Sequence, residues 1–99
     1  MLCQVFKVTE HSLSPTYQDG DFVLVSRLPI LLGGIRPGDV VIFQHPLHGK
    51  LIKRVDHLEA EGSQVFVTGT SPDSIDSRTF GAIPREIVLG KVIWHIPGK

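Results

Sequence analysis

Two residues in this 99-residue chain could do covalent chemistry together. Ser12 stands in His11-Ser12-Leu13-Ser14-Pro15-Thr16, where a strand-like run breaks into a proline turn, and a serine so placed is a candidate nucleophile. Lys53 stands in Leu51-Ile52-Lys53-Arg54-Val55, and a lysine set into an apolar strand face is a candidate base. A serine hydroxyl is a poor nucleophile until a base takes its proton, so the combination suggests a Ser/Lys hydrolase. Each residue also has an ordinary reading. Hydroxyls before a proline turn often satisfy nearby backbone groups, and a strand lysine can snorkel to a barrel rim and stay charged.

Strand geometry sharpens the lysine. Side chains alternate between faces, so Leu51, Lys53 and Val55 share one face while Ile52, Arg54 and Asp56 share the other. Lys53 therefore lies between two apolar neighbours, where burial disfavours the ammonium and moves the amine toward the neutral form a base needs. A domain of marginal stability tolerates that cost chiefly at a functional site. His11 is badly placed as a base for Ser12, because neighbours in an extended segment point to opposite sides. His45 and His48 have a spacing compatible with two metal ligands, but they sit in a Pro/Gly hairpin with no third or fourth ligand in view. They read as loop histidines, and no metal or other cofactor is expected.

The elements that must position Ser12 and Lys53 are short β-branched and aromatic runs separated by Gly, Pro and Asp, which predicts a mainly β domain without a long helix. The expected strands are Leu2 to Val8, Phe22 to Ser26, Val40 to Gln44, Leu51 to Leu58, Gln64 to Thr68 and Ile87 to Ile96. Asp19-Gly20-Asp21 and Pro37-Gly38-Asp39 each deliver the chain into a strand through a tight turn. Leu28 to Arg36 reads as an apolar, glycine-containing loop covering a barrel end. His45-Pro46-Leu47-His48-Gly49 and Glu59-Ala60-Glu61-Gly62 read as hairpin connections.

Residues 1-99 fit one domain with one modest core, and repeats, charge blocks and linkers are absent from the sequence. Ten Lys and Arg balance ten Asp and Glu, so the chain carries no electrostatic footprint for nucleic acid or anionic membranes. One cysteine, Cys3, excludes an intramolecular disulfide and fits a reducing, cytoplasmic compartment. The most apolar stretch, Leu28 to Ile35, is short and broken by Pro29, Gly33 and Gly34, so no intrinsic membrane span is expected. The first eight residues lack the length and cleavage site of a secretory signal. The oligomeric state is open.

Three stretches together resemble the signal peptidase I family of Ser/Lys proteases over nearly the whole chain. Ser12-Leu13-Ser14-Pro15-Thr16 with Asp19-Gly20-Asp21 is similar to the family's nucleophile box, usually Ser-Met-x-Pro-Thr with Gly-Asp a few residues on. Pro37-Gly38-Asp39-Val40-Val41-Ile42-Phe43, then Ile52-Lys53-Arg54-Val55, resembles the strand leading to its Lys-Arg box. Ser74-Ile75-Asp76-Ser77-Arg78-Thr79-Phe80-Gly81, then Ile83-Pro84, resembles its final Ser-x-Asp-Ser-Arg-x-x-Gly box.

The resemblance implies a small, single-domain, β-barrel-like catalytic fold of the signal peptidase and LexA type. It makes Ser12 the nucleophile and Lys53 the neutral general base, with Ser74 orienting the lysine amine and the Asp76–Arg78 pair supporting the last box. The Ser12 backbone N–H is one oxyanion donor. Relatives often place a Ser or Thr hydroxyl two residues before the nucleophile, where this chain has Glu10, which cannot donate when ionised. Gly69-Thr70-Ser71 replaces the family's Gly-Asp-Asn, one residue closer to Ser74, and Leu13 replaces a methionine of similar volume.

The expected partner is a precursor protein bearing an N-terminal leader. Compact relatives without a span include proteases that resemble maturation enzymes for nickel-type superoxide dismutase, and that precursor is the expected substrate. The alternative is a bacterial or mitochondrial inner-membrane signal peptidase I whose anchor lies elsewhere. A further alternative is a LexA-like regulatory domain or a non-catalytic binding module, although only eleven residues precede Ser12 for self-cleavage.

Overall fold

The structure is a computed structural model that describes residues 3–8, 20–70 and 74–98. Its elements in chain order are β1 (Cys3–Lys7), β2 (Phe22–Ser26), α1 (Leu28–Gly33), β3 (Val40–His45), β4 (Gly49–Glu59), β5 (Gln64–Thr68), α2 (Ser77–Phe80), β6 (Ile83–Pro84) and β7 (Val88–Ile96), with 3-10 turns at Ala60–Gly62 and Arg85–Ile87. The strands form one antiparallel sheet in the order β1-β2-β7-β3-β4-β5-β6.

Alternation along the strands builds a core on each face of this sheet. Val41 and Phe43 of β3 join Leu51 and Val55 of β4, Val65 and Val67 of β5, Ile83 and Val88 in one buried cluster. Ile42 and Ile52, pointing the other way, join Val8, Val23 and Val25 in a second. The sheet also curls. β1 and β4 stand four places apart in the strand order, about 19 Å across a flat sheet at ~4.8 Å per strand. Yet Lys50 Nζ on β4 lies 4.9 Å from the centre of the Phe6 ring on β1. The outcome is a curled, mainly β fold, as the strand pattern predicts, with the barrel-like shape that the resemblance implies.

Bulges accompany the curl. Registers shift between Leu24 and Val25, between Ile42 and Phe43, and between Val55 and His57. An extra residue on one strand increases the local twist. At the third shift the alternation that holds from Leu51 through Val55 is broken by Asp56, and the His57 ring beyond it stacks on Phe66 at 4.7 Å.

The Leu28 to Arg36 stretch differs from the loop expected for it, because it begins with the helix α1, Leu28–Gly33. Pro29 supplies a helical φ at the first turn and needs no N–H partner there, while Leu28 N–H donates to the Ser26 hydroxyl at 3.1 Å. Gly34 ends the helix at φ +78°, donating its N–H to the Ile30 carbonyl at 2.9 Å. The His45–Gly49 connection is a hairpin with those two residues paired. The turn after β4 carries Ala60, Glu61 and Gly62 at positive φ, with Ser63 Oγ donating to the Ala60 carbonyl at 2.8 Å.

Candidate active site

Lys53 sits near the middle of β4, with β3 on one side and β5 on the other. It faces wholly buried Val41 across the ladder and is itself only 1% exposed. The snorkelling reading of this lysine is thereby excluded. The turn before β3 fixes the same neighbourhood. Gly38, at φ +93°, donates its N–H to the Val55 carbonyl at 2.8 Å, and Val55 N–H donates to the Asp39 carbonyl at 2.7 Å. The Asp39 carboxylate caps Arg36 N–H at 2.8 Å and pairs with Lys91 at 3.0 Å.

On the other side of β4, the ladder pairs Arg54 with Thr68 and Val55 with Val67, so the next position opposite Lys53 is Gly69. Gly69 N–H donates to the Asp76 carboxylate at 2.8 Å. Asp76 is completely buried and collects further donors: the Ser74 hydroxyl at 2.7 Å, Arg78 Nη2 at 2.6 Å, Arg78 Nε at 3.0 Å and the Arg78 backbone N–H at 2.9 Å. The last contact makes Asp76 the N-cap of α2. Ser77 anchors the same turn, its hydroxyl accepting Val67 N–H at 2.9 Å.

Burial alone would push the Asp76 carboxyl up, but the Arg78 guanidinium, Gly69 N–H, the Ser74 hydroxyl and Arg78 N–H outweigh it and hold the carboxyl well below the ordinary range. The arrangement is therefore a fixed anion serving as a structural hub. Ser74 completes it by accepting from Arg78 Nη2 at 3.1 Å while donating to Asp76. Among the described residues no buried side-chain nitrogen or oxygen lacks a hydrogen-bond partner.

Ser12, its backbone N–H, Glu10 and Ser71 lie outside the described residues. The chain on either side of that first segment is closed by two backbone bonds, Val8 N–H to the Asp21 carbonyl at 2.7 Å and Gly20 N–H to the Val8 carbonyl at 2.8 Å. Asp21 carries a contact that the sequence did not signal. Its buried carboxylate lies 2.6 Å from His95 Nε2 and accepts Gly98 N–H at 2.9 Å. His45 and His48 do not meet a metal-ligand set; their rings lie 4.9 Å apart beside Phe80. Among the described residues no group of three or more His, Cys, Asp or Glu could hold a metal ion.

A groove of about 230 Å³ opens between β1 and β4, lined by Phe6, Lys7, Val8, Val23, Ile42 and Lys50 to Ile52.

The family model for signal peptidases, peptidase S26, matches residues 1–62, well over half of the chain and the part containing Ser12 and Lys53. The chain belongs to the signal peptidase family. Signal peptidase I V of Bacillus subtilis (strain 168) is 36% identical to it over 69 residues, covering 65% of this chain and 41% of that protein. This family member thus spans less than half the length of that relative. Among its described residues no helix is long and apolar enough to cross a membrane.

Proposed function

We propose that residues 1-99 form one catalytic domain of a serine endopeptidase that removes an N-terminal leader from a precursor protein. The observation that carries this reading is Lys53, a lysine enclosed on a central strand beside the Gly69–Asp76 junction, in a chain of the signal peptidase family. Ser12 is the nucleophile. Its hydroxyl proton passes to the neutral Lys53 amine as Oγ attacks the scissile carbonyl, and the Ser12 N–H donates to the resulting oxyanion. The lysine then gives that proton to the leaving amine, and an acyl-serine remains. Water, deprotonated by the same amine, releases the mature chain's leader and regenerates the serine.

Ser74 orients the lysine amine in this reading. A hydroxyl has two acceptor lone pairs, so accepting from Arg78 leaves capacity for a second donor. Asp76 and Arg78 keep Ser74 in place without touching substrate.

The proposed substrate is the precursor of nickel-type superoxide dismutase, on the resemblance in size and architecture, with a cytoplasmic location. The identity with Signal peptidase I V favours a second reading, in which the leader belongs to an exported protein. Incubation with each precursor, followed by mass spectrometry of the new N-terminus, separates the two. Ser12→Ala and Lys53→Ala should both abolish leader removal while the proteins remain folded by circular dichroism. Normal processing by either variant would mean that the dyad is not the catalyst.

A further inference from the structure

A second cavity, of about 370 Å³, lies between α1 and the 3-10 turn that follows β6, lined by Arg27, Ile30, Leu31, Arg85, Glu86 and Val88. That volume suits a small ligand or a single side chain with its backbone. The lining combines three kinds of chemistry. Ile30 packs against the core cluster that contains buried Val88, and Leu31, 67% exposed, extends this apolar surface outward. The two guanidiniums come from opposite ends of the helix: Arg27 precedes Leu28, whereas Arg85 stands beside Gly34, where a Cβ would meet its Nη2 at 3.8 Å. Glu86 supplies the one carboxylate among the described lining residues. Neither arginine forms an ion pair with it or with any other described residue. Positive charge that is not neutralised thus lies together with apolar surface in one concave place.

We infer that this cavity takes the free C-terminal residue of another protein chain, one that ends in an apolar side chain. Each part of such an end has a counterpart in the lining. The side chain rests on Ile30, Leu31 and Val88, the terminal carboxylate accepts from Arg27 and Arg85, and Glu86 accepts the N–H of the last peptide group. A simple anion would use the arginines and meet repulsion from Glu86, whereas a peptide end uses all six residues. The site shares no residue with the Ser12 and Lys53 pair or with the Asp76 hub, so it does not depend on the peptidase reading. Both arginines are exposed, so their pairing with the carboxylate changes affinity by about fivefold and weakens as salt rises.

The test uses the full chain and three short peptides labelled with fluorescein at the N-terminus: one ending in leucine with a free carboxylate, the same peptide amidated, and one ending in serine with a free carboxylate. Affinities are read by anisotropy, and amide NMR spectra locate the contact. The free leucine end should bind about fivefold tighter than its amide, a gap that closes at high salt. It should bind about tenfold tighter than the serine end, which lacks the apolar body. The signals of Ile30, Leu31 and Arg85 to Val88 should shift on binding. Arg85→Gln, an exposed change, should narrow the gap between acid and amide, and Glu86→Gln should weaken the acid about twofold. Equal affinity for acid and amide in the parent protein, no binding of either, or shifts centred on other residues would overturn the site. Decanoate displacing the peptide with equal affinity, together with tighter binding of both by Glu86→Gln, would also overturn it, because the cavity would then select an anion on an apolar tail and make no use of a peptide group.

Discussion

Gly69 and Asp76 are joined by a backbone N–H to carboxylate bond of 2.8 Å, and this bond ties the end of β5 to the turn that carries Ser74. Because Gly69 follows the register opposite Lys53, one buried carboxylate connects the lysine strand to the last of the three family-like boxes.

Asp76→Ala removes that connection, leaving Gly69 N–H and the Arg78 guanidinium without their acceptor and α2 without its cap. The expected cost is about 3 kcal/mol, read as a lower urea midpoint, and peptidase activity should fall with it. Arg78→Lys should cost less, because one donor survives at the carboxylate although the planar fork is lost.

The same carboxylate gives a pH signature. Its proton is held more weakly in the folded protein than in the unfolded chain, so folding is favoured by its ionisation. That contribution is complete above the ordinary carboxylate value of about 3.9 and disappears as pH falls below it toward the lower folded value. Asp76→Asn should flatten the acid limb of a stability-against-pH curve measured by urea denaturation. An acid limb of unchanged steepness would assign the effect to other carboxylates.

Lys53→Met is expected to keep the fold and abolish activity. Methionine preserves much of the volume between Leu51 and Val55, so the variant should still unfold in one cooperative step in urea. Unfolding of this variant under conditions where the parent is native would make Lys53 a structural residue first.

Gly90→Ala probes the pairing of β2 with β7. A methyl there would stand 2.7 Å from Val25 Cγ1 and 2.8 Å from the Ser26 carbonyl oxygen, and the backbone oxygen cannot move away without disturbing β2. A loss of about 2 kcal/mol is expected from thermal or urea unfolding.

His95→Ala should destabilise the protein by about 2 kcal/mol, because it leaves the buried Asp21 carboxylate with fewer donors. His95→Gln restores a donor and should recover part of the loss, a comparison made directly by urea titration.

Much of this arrangement could be read along the chain. Phe22 to Ser26 and Gln64 to Thr68 are strands with the expected ends, and β4 runs to Gly49 and Glu59 because its hairpin pairs out to His45. The enclosure of Lys53 was legible because alternation places it with Leu51 and Val55. The helices were not. α1 has six residues around Pro29 and α2 has four, too short for a repeating apolar face, although Asp76 before Ser77 and Arg78 was an available capping signal. The contact between Asp21 and His95 spans 74 positions and leaves no local pattern, since only the sheet order brings β7 beside β2.

The strand order also separates two kinds of stability for the two residues of the proposed dyad. Lys53 rides on β4, laddered on both sides, so its amides belong with those that exchange only when the whole sheet opens. The chain reaches Ser12 from β1, five residues with a single neighbour among the described strands. On the proposed Ser12–Lys53 mechanism, opening of β1 would disturb the segment leading to Ser12 while the strand of Lys53 stays paired. Heat should therefore silence the proposed peptidase activity before it melts the sheet, and cooling from that point should restore activity without refolding.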